Sequence, residues 1–168
     1  MSFRDRVAFD PQAGTYFDGA MRYIFIKPEA LMGIALALPE DQRGAVLEAM
    51  ADSVFINGGK SARTYQDAGA ADGEALLAVI RETAPQLGWG SWTTQVDGDV
   101  LTVTVAGSPF AMGYGPADRP VCTPILGMLR AVSPVVLRGP VEVTETACAA
   151  MGAAACTFTA RRIPEGTA

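Results

Sequence analysis

The stretch Ser91-Trp-Thr-Thr-Gln-Val-Asp-Gly-Asp-Val-Leu-Thr-Val-Thr-Val-Ala106 is the clearest structural signal in this chain of 168 residues. Asp97-Gly98-Asp99 divides it into two runs of strand-forming residues, and such a turn between two strands is typical of a β-hairpin. From Leu101 to Val105 apolar residues alternate with threonine, which predicts that one face of the second strand is buried. The stretch therefore predicts an antiparallel hairpin.

Helical patterns precede the hairpin. Apolar residues at helical spacing predict three helices, at residues 28–38, 40–56 and 73–87. Asn57-Gly58-Gly59 is expected to end the second helix, and Asp72 is expected to cap the third. Residues 61–71 fit either a helix or a loop. The N-terminal half is therefore expected to be mainly helical.

Strands and one more helix complete the pattern. Paired strands are predicted at residues 15–18 and 22–26, a loop at 107–118, a helix at 121–137, and a second hairpin with strands at 141–144 and 157–161. Helices followed by hairpins, without βαβ alternation, predict an α+β fold with an antiparallel sheet packed against helices. The length suits a single domain with its own core.

Composition excludes several classes of function. The chain has no histidine, which rules out histidine metal ligands and Ser-His-Asp or Cys-His catalysis. Its net charge is −5, and its arginines are scattered, so a direct nucleic-acid partner is not expected. Apolar runs are too short for a membrane span. The first residues lack the apolar core of a signal peptide, which predicts a cytoplasmic location.

The three cysteines form a spaced pattern. Glu145-x2-Cys148-x7-Cys156 lies around the second predicted hairpin, and Cys122 lies at the start of the preceding helix. Three thiolates and one carboxylate make a set of four ligands that suits tetrahedral Zn²⁺. Free cysteines are also common as small buried apolar residues. The residues alone leave both interpretations open.

The stretches Pro120-Val-Cys122 and Glu145-Thr-Ala-Cys148-Ala-Ala-Met-Gly152-Ala-Ala-Ala-Cys156-Thr-Phe158 resemble the C-terminal signature of the V4R (4-vinyl reductase) domain family. This family includes proteins linked to 8-vinyl reduction in bacteriochlorophyll synthesis. It is related to the sensory domains of phenol- and xylene-responsive activators. The resemblance is specific over residues 119–161.

The resemblance implies a fold and a metal. The family fold resembles that of trafficking-tether (TRAPP) subunits, an antiparallel sheet and helices around an apolar cavity, and residues 1–168 are expected to form one such ligand-binding domain. In the family's sensors, the corresponding residues hold a structural zinc. The resemblance thus implies zinc ligands at Cys122, Glu145, Cys148 and Cys156.

A cavity is expected beside the first hairpin. The candidate lining residues are apolar and lie in the segments that flank the hairpin and on the helix that follows: Trp89, Trp92, Phe110, Met112, Tyr114, Ile125, Met128 and Leu129. Apolar walls with few polar groups are typical of small-molecule sites. Arg119, Arg130 and Arg138 are candidate partners for ligand carboxylates.

Three functions are compatible with these features. The first is a zinc-stabilised sensor or carrier domain for a hydrophobic or flat aromatic ligand, with tetrapyrroles among the candidates. The second is a vinyl-reductase enzyme or accessory protein in tetrapyrrole and bacteriochlorophyll synthesis. The third is a structural interaction subunit. Since no nicotinamide or flavin motif is present and a four-ligand zinc site is closed, binding without turnover is the favoured interpretation.

A homodimer is also expected. The phenol sensors that the chain resembles form dimers through their N-terminal region. In this chain that region carries Tyr16, Phe17, Tyr23 and Phe25. An exposed aromatic surface of this kind is typical of an interface between protein subunits.

Overall fold

Helices and two antiparallel sheets make up the computed structural model, which describes residues 2–67 and 72–164. The helices are α1 (Phe3–Arg6), α2 (Pro28–Leu36), α3 (Glu40–Asp67), α4 (Gly73–Gln86), α5 (Pro109–Tyr114) and α6 (Thr123–Leu137). The strands are β1 (Ala8–Asp10), β2 (Thr15–Asp18), β3 (Met21–Tyr23), β4 (Ser91–Asp97), β5 (Val100–Ala106), β6 (Val141–Ala147) and β7 (Cys156–Arg162). A 3-10 turn, Ala149–Met151, joins β6 to β7.

The main sheet contains both predicted hairpins. Its strand order is β4-β5-β7-β6, and every neighbouring pair is antiparallel. In β5, Leu101, Val103 and Val105 are buried, as their alternation predicts. On the opposite face, threonines of β5 and β7 stand opposite each other, for example Thr102 and Thr159. The α+β fold class with an antiparallel sheet is therefore confirmed.

The core lies between the buried face of this sheet and α6. Ile125, Leu129 and Val132 of α6 are buried in the same apolar cluster as Val103 and Phe158 of the sheet. Helices α3 and α4 pack against α6 from the other side. Consequently α6 is at the centre of the domain, with the sheet on one side and helices on the other.

The predicted N-terminal hairpin is present, with small differences. Strands β2 and β3 pair around Gly19, and β1 adds a third strand to this separate sheet. Strand β3 ends at Tyr23, so residues 24–26 lie outside the strand that was expected to extend to Ile26. Ile24, Phe25 and Ile26 are all exposed.

The predicted end of the second helix is wrong. Helix α3 does not end at Asn57-Gly58-Gly59 but continues to Asp67. The glycines face α6: a Cβ atom at Gly58 would lie 3.0 Å from the Cε atom of Met128. Close packing against Met128 of α6, and not a turn, accounts for Gly58. Of the ambiguous segment 61–71, residues 61–67 are helical and residues 68–71 lie outside the described residues.

The predicted loop at residues 107–118 contains a short helix, α5. The Ser108 side chain accepts a hydrogen bond from the Ala111 amide, and Pro109 occupies the first turn of the helix. Both are common signals for a helix start. Of the glycines and prolines that suggest a loop, Pro109 and Gly113 lie within a helix of six residues, and the others flank it.

Candidate metal centre and apolar cavity

The four residues of the cysteine pattern come together in space. Cys122 precedes α6, Glu145 lies in β6, Cys148 follows that strand and Cys156 begins β7. One ligand atom from each lies within 4.8 Å of the others, and all four residues are buried. A left-handed Gly152, with φ of 93°, allows the tight turn that brings Cys148 and Cys156 to the same place.

The distances between the sulfur atoms fit a single metal ion. The Cys122 Sγ atom lies 3.4 Å from that of Cys156 and 3.9 Å from that of Cys148. Zn–S bonds of about 2.3 Å in a tetrahedron place sulfur atoms about 3.8 Å apart. The three thiols are free and buried. Their spacing therefore suits tetrahedral zinc.

Glu145 offers one free oxygen atom to this centre. Its Oε2 atom accepts a hydrogen bond of 3.0 Å from the Cys122 amide. Its Oε1 atom is buried and has no hydrogen-bond partner. A register shift between Glu145 and Ala147 interrupts the pairing of β6 with β7 at this point. A buried, unpartnered carboxylate oxygen beside three thiols is unfavourable unless a cation binds it, so the donor set fits the metal that the sequence pattern implies.

Neighbouring polar groups support the sulfur atoms. The Ser108 hydroxyl lies 3.1 Å from the Cys122 Sγ atom, and the Ala149 amide donates to the Cys156 Sγ atom at 3.3 Å. Hydrogen bonds of this kind orient metal ligands and stabilise thiolates. The residue that caps α5 and the first residue of the 3-10 turn thus each contribute one contact to the centre.

Glu145, Cys156 and Cys122 have strongly shifted pKa values. Burial, followed by the neighbouring Cys148 thiol, raises the pKa of Glu145 to about 8. Hydrogen bonds with Cys122 and Cys148 lower the pKa of Cys156 to about 3. Hydrogen bonds with the other two thiols, followed by burial, raise the pKa of Cys122. Groups packed this closely cannot all ionise unless a cation offsets their mutual repulsion, and a divalent metal ion would offset half of their combined negative charge.

A separate apolar cavity of about 300 Å³ lies between α3, α4 and α6 and the start of β4. Its lining residues are Tyr23, Ser53, Val54, Asn57, Gly58, Val79, Ile80, Thr83, Ala84, Leu87, Trp89, Trp92, Met128 and Val132. The indole N–H of Trp92 donates to the Trp89 carbonyl at 3.0 Å, so this polar group is already satisfied within the protein. Among the described lining residues, none is a carboxylate, lysine or arginine.

Three of the eight predicted cavity residues line this space: Trp89, Trp92 and Met128. Phe110 packs behind the cavity, with its ring 5.1 Å from that of Trp89 in a T-shaped contact. Ile125 and Leu129 are buried in the core beneath the sheet. Tyr114 packs against the same core, whereas Met112 is 65% exposed and borders a different groove beside the 3-10 turn.

The sequence analysis missed the contributions of α3 and α4. Val54 and Gly58 of α3 line the cavity, together with Ile80 and Ala84 of α4 and Leu87, which directly follows α4. A signal was present in α4, because Ile80 and Ala84 lie on its predicted apolar face. That pattern distinguishes buried from exposed positions, but it does not distinguish a cavity wall from a filled core.

The candidate arginines lie away from the cavity. Arg119 pairs with Asp118, and Arg130 pairs with Glu48 and, at 3.8 Å, with Asp52. Arg138 lies at the end of α6 in a left-handed conformation, with φ of 55°. None of the three lines the apolar cavity.

Within the described residues, no helix is both long enough and apolar enough to cross a membrane.

Comparison with known proteins confirms the resemblance of the C-terminal part. Residues 101–162 match the family model of the V4R domain, a segment that contains all four residues of the candidate metal centre. No curated protein sequence matches the chain.

Solved structures share the fold. The phenol-responsive sensory domain of the transcription activator PoxR, determined with phenol, is similar with a TM-score of 0.73 and 15% identity, over 95% of this chain and 86% of that chain. A trafficking protein particle complex subunit 3 from Naegleria fowleri, covalently bound to palmitic acid, is similar with a TM-score of 0.58 and 11% identity, over 82% of this chain and 95% of that one. At these identities the similarity establishes the fold alone.

Proposed function

We propose that this chain, in which residues 101–162 match the V4R domain, is a small-molecule-binding sensor or carrier domain stabilised by zinc. The observation that carries the proposal is the apolar cavity between α3, α4 and α6, which has the size and lining of a ligand site. The fold that the chain shares with a phenol-responsive sensory domain supports the same function. The whole of residues 1–168 is proposed to act as one domain.

The zinc is proposed to have a structural role. Cys122, Glu145, Cys148 and Cys156 provide four protein ligands, which leaves no open position for a substrate. None of them lines the cavity. The metal instead ties the start of α6 to β6 and β7, and α6 carries Met128 and Val132 on the cavity wall. Zinc thereby supports the cavity without contacting its ligand.

The lining favours an uncharged ligand. A carboxylate in this cavity would lose its hydration without gaining a cationic partner, because Arg119, Arg130 and Arg138 lie elsewhere. An engineered apolar cavity of about 150 Å³ binds benzene, so about 300 Å³ suits a flat molecule of one or two rings. This argument disfavours carboxylate-bearing tetrapyrroles and, with them, the vinyl-reductase alternative.

Neutral aromatic compounds are expected to stabilise the protein against heat. Phenol or a similar compound at a hundredfold excess over its dissociation constant adds about 2.7 kcal/mol to the free energy of unfolding. For a domain of this size that corresponds to a rise of about 5–10 °C in Tm. Ile80→Trp fills the cavity and is expected to abolish the rise, which a thermal-shift assay measures.

Ala78→Trp is the matched control, because Ala78 is on the same helix but exposed. It is expected to leave the response to the compound unchanged. If neutral aromatics, fatty acids and porphyrins all leave Tm unchanged in the wild type, the binding function is wrong and the interaction-subunit alternative replaces it.

We also propose that the N-terminal sheet mediates a homodimer. Phe9 and Phe25 are more than half exposed, and both rings pack on Tyr16 with centroid distances of 4.7 Å. Phe17 is half-buried, whereas Tyr23 turns toward the cavity. Phe9 and Phe25 thus form an exposed aromatic surface that packs on the half-buried Tyr16.

Phe25→Asp is expected to convert the dimer to a monomer, because a carboxylate at the interface would be buried without a partner. Multi-angle light scattering at micromolar concentration measures the mass. Ile56→Asp alters an exposed apolar residue of α3 outside this surface and should leave the mass unchanged. A monomeric wild type would contradict the proposal.

A further inference from the structure

Two adjacent glycines lie inside α3, where they do not serve as a helix end. Gly58 and Gly59 are well within the helix Glu40–Asp67. Glycine inside a helix is unfavourable relative to alanine, because it loses more backbone freedom on folding. At least one of them is therefore expected to make a contact that a side chain would prevent.

The two glycines differ in what surrounds them. A Cβ atom at Gly58 would lie 3.0 Å from the Cε atom and 3.3 Å from the Sδ atom of Met128. At Gly59 the nearest atom would be the Ala131 Cβ atom at 3.6 Å, an ordinary contact. Gly58 and Met128 both line the apolar cavity, whereas Gly59 does not. Only Gly58 leaves space that the end of the Met128 side chain uses.

Met128 is the adaptable part of the wall. Among the described lining residues it is the only long, unbranched apolar side chain, and a thioether chain of this kind adjusts its shape at low cost. The opposite part of the wall is held in place, since Trp92 bonds to the Trp89 carbonyl and Trp89 packs on Phe110. Met128 is therefore the lining side chain that can most easily change the size of the cavity.

We infer that Gly58 and Met128 together set the size of ligand that the cavity accepts. The space over Gly58 holds the end of the Met128 side chain, and this leaves room in the cavity for a two-ring ligand. A methyl group at residue 58 removes that space and pushes the thioether toward the ligand. This inference rests on the proposed binding function and adds to it the residue pair that determines specificity.

The test compares dissociation constants for phenol and 2-naphthol, which are uncharged one-ring and two-ring probes at neutral pH, by titration calorimetry. Gly58→Ala is expected to weaken 2-naphthol binding at least tenfold and phenol binding less than threefold. Met128→Ala is expected to strengthen 2-naphthol at least tenfold relative to phenol. The double variant should regain 2-naphthol binding, because it lacks the displaced thioether.

Gly59→Ala is the matched control and should leave both dissociation constants within twofold of the wild type. If Met128→Ala fails to give a cooperative melt, Met128→Val removes the thioether tip while keeping more of the packing. Two results would contradict the inference while leaving the proposed binding function intact. One is equal effects of Gly58→Ala and Gly59→Ala on the dissociation constants, and the other is an equal change for both probes in the Met128 variant. If the wild type binds neither phenol nor 2-naphthol, the inference is wrong, and so is the proposed function of binding small neutral aromatic compounds.

Discussion

Cys148→Ala is expected to lower the free energy of unfolding by about 4 kcal/mol or more, which makes it one of the most damaging single substitutions in the chain. A metal present at a thousandfold excess over its dissociation constant adds about 4 kcal/mol to stability. Removing one of four buried ligands also leaves Cys122, Cys156 and Glu145 packed together without a complete coordination shell. The expected fall in Tm is about 10 °C, measured by circular dichroism.

The metal content is the second measurement. Wild-type protein purified without chelator is expected to carry about one equivalent of zinc per chain, and the variant much less. A strong chelator should lower the Tm of the wild type toward that of the variant, while leaving the variant unchanged. This difference separates loss of the metal from loss of a small buried side chain.

Val103→Ala provides a control for core truncation. Val103 is buried in β5, opposite Phe158 of β7, and is not a member of the cysteine cluster. Its truncation should lower stability through lost packing but retain both zinc and the response to chelator. A folded wild-type protein without metal, or one whose Tm is unaffected by chelator, would contradict the zinc centre and favour buried free thiols.

The parts of the fold that were predicted correctly depend on local signals. The turn at Asp97-Gly98-Asp99 and the alternation in β5 are sufficient to define the hairpin. Asp72 caps α4 as expected, through a hydrogen bond of 2.8 Å from the Ala75 amide. The close approach of the four metal-centre residues was anticipated by the spacing of the cysteine pattern and by its family resemblance.

The errors arose where contacts distant in sequence decide the structure. Asn57-Gly58-Gly59 has the composition of a helix end, yet the glycines are accommodated because α6 packs against them. The cavity illustrates the same limit. Trp89 and Trp92 were recognisable as aromatic residues near the hairpin, but Val54 and Ile80 become neighbours only when α3 and α4 dock on α6. Periodicity predicts which face of a helix is buried and not what it is buried against.

Gly127→Ala is expected to destabilise the protein by about 3 kcal/mol through overpacking between α3 and α6. A Cβ atom at Gly127 would lie 2.1 Å from the Ala51 carbonyl oxygen and 2.8 Å from the Ala51 carbonyl carbon. Because these are backbone atoms of α3, no side-chain rotation relieves the clash and the two helices must move apart. The movement would also disturb Met128, the next residue of α6, and with it the cavity.

Gly33→Ala is the matched control for this substitution. Gly33 is also inside a helix, α2, but no atom lies within 4 Å of the position that its Cβ would occupy. Alanine there is expected to raise stability by about 0.5–1 kcal/mol, because it favours the helix without a clash. Opposite signs for the two variants in urea unfolding would show that backbone contact, and not helix propensity, requires Gly127. If the free energy of unfolding of Gly127→Ala instead lies within about 1 kcal/mol of the wild-type value, the helices are not packed as closely as the Ala51 contact implies.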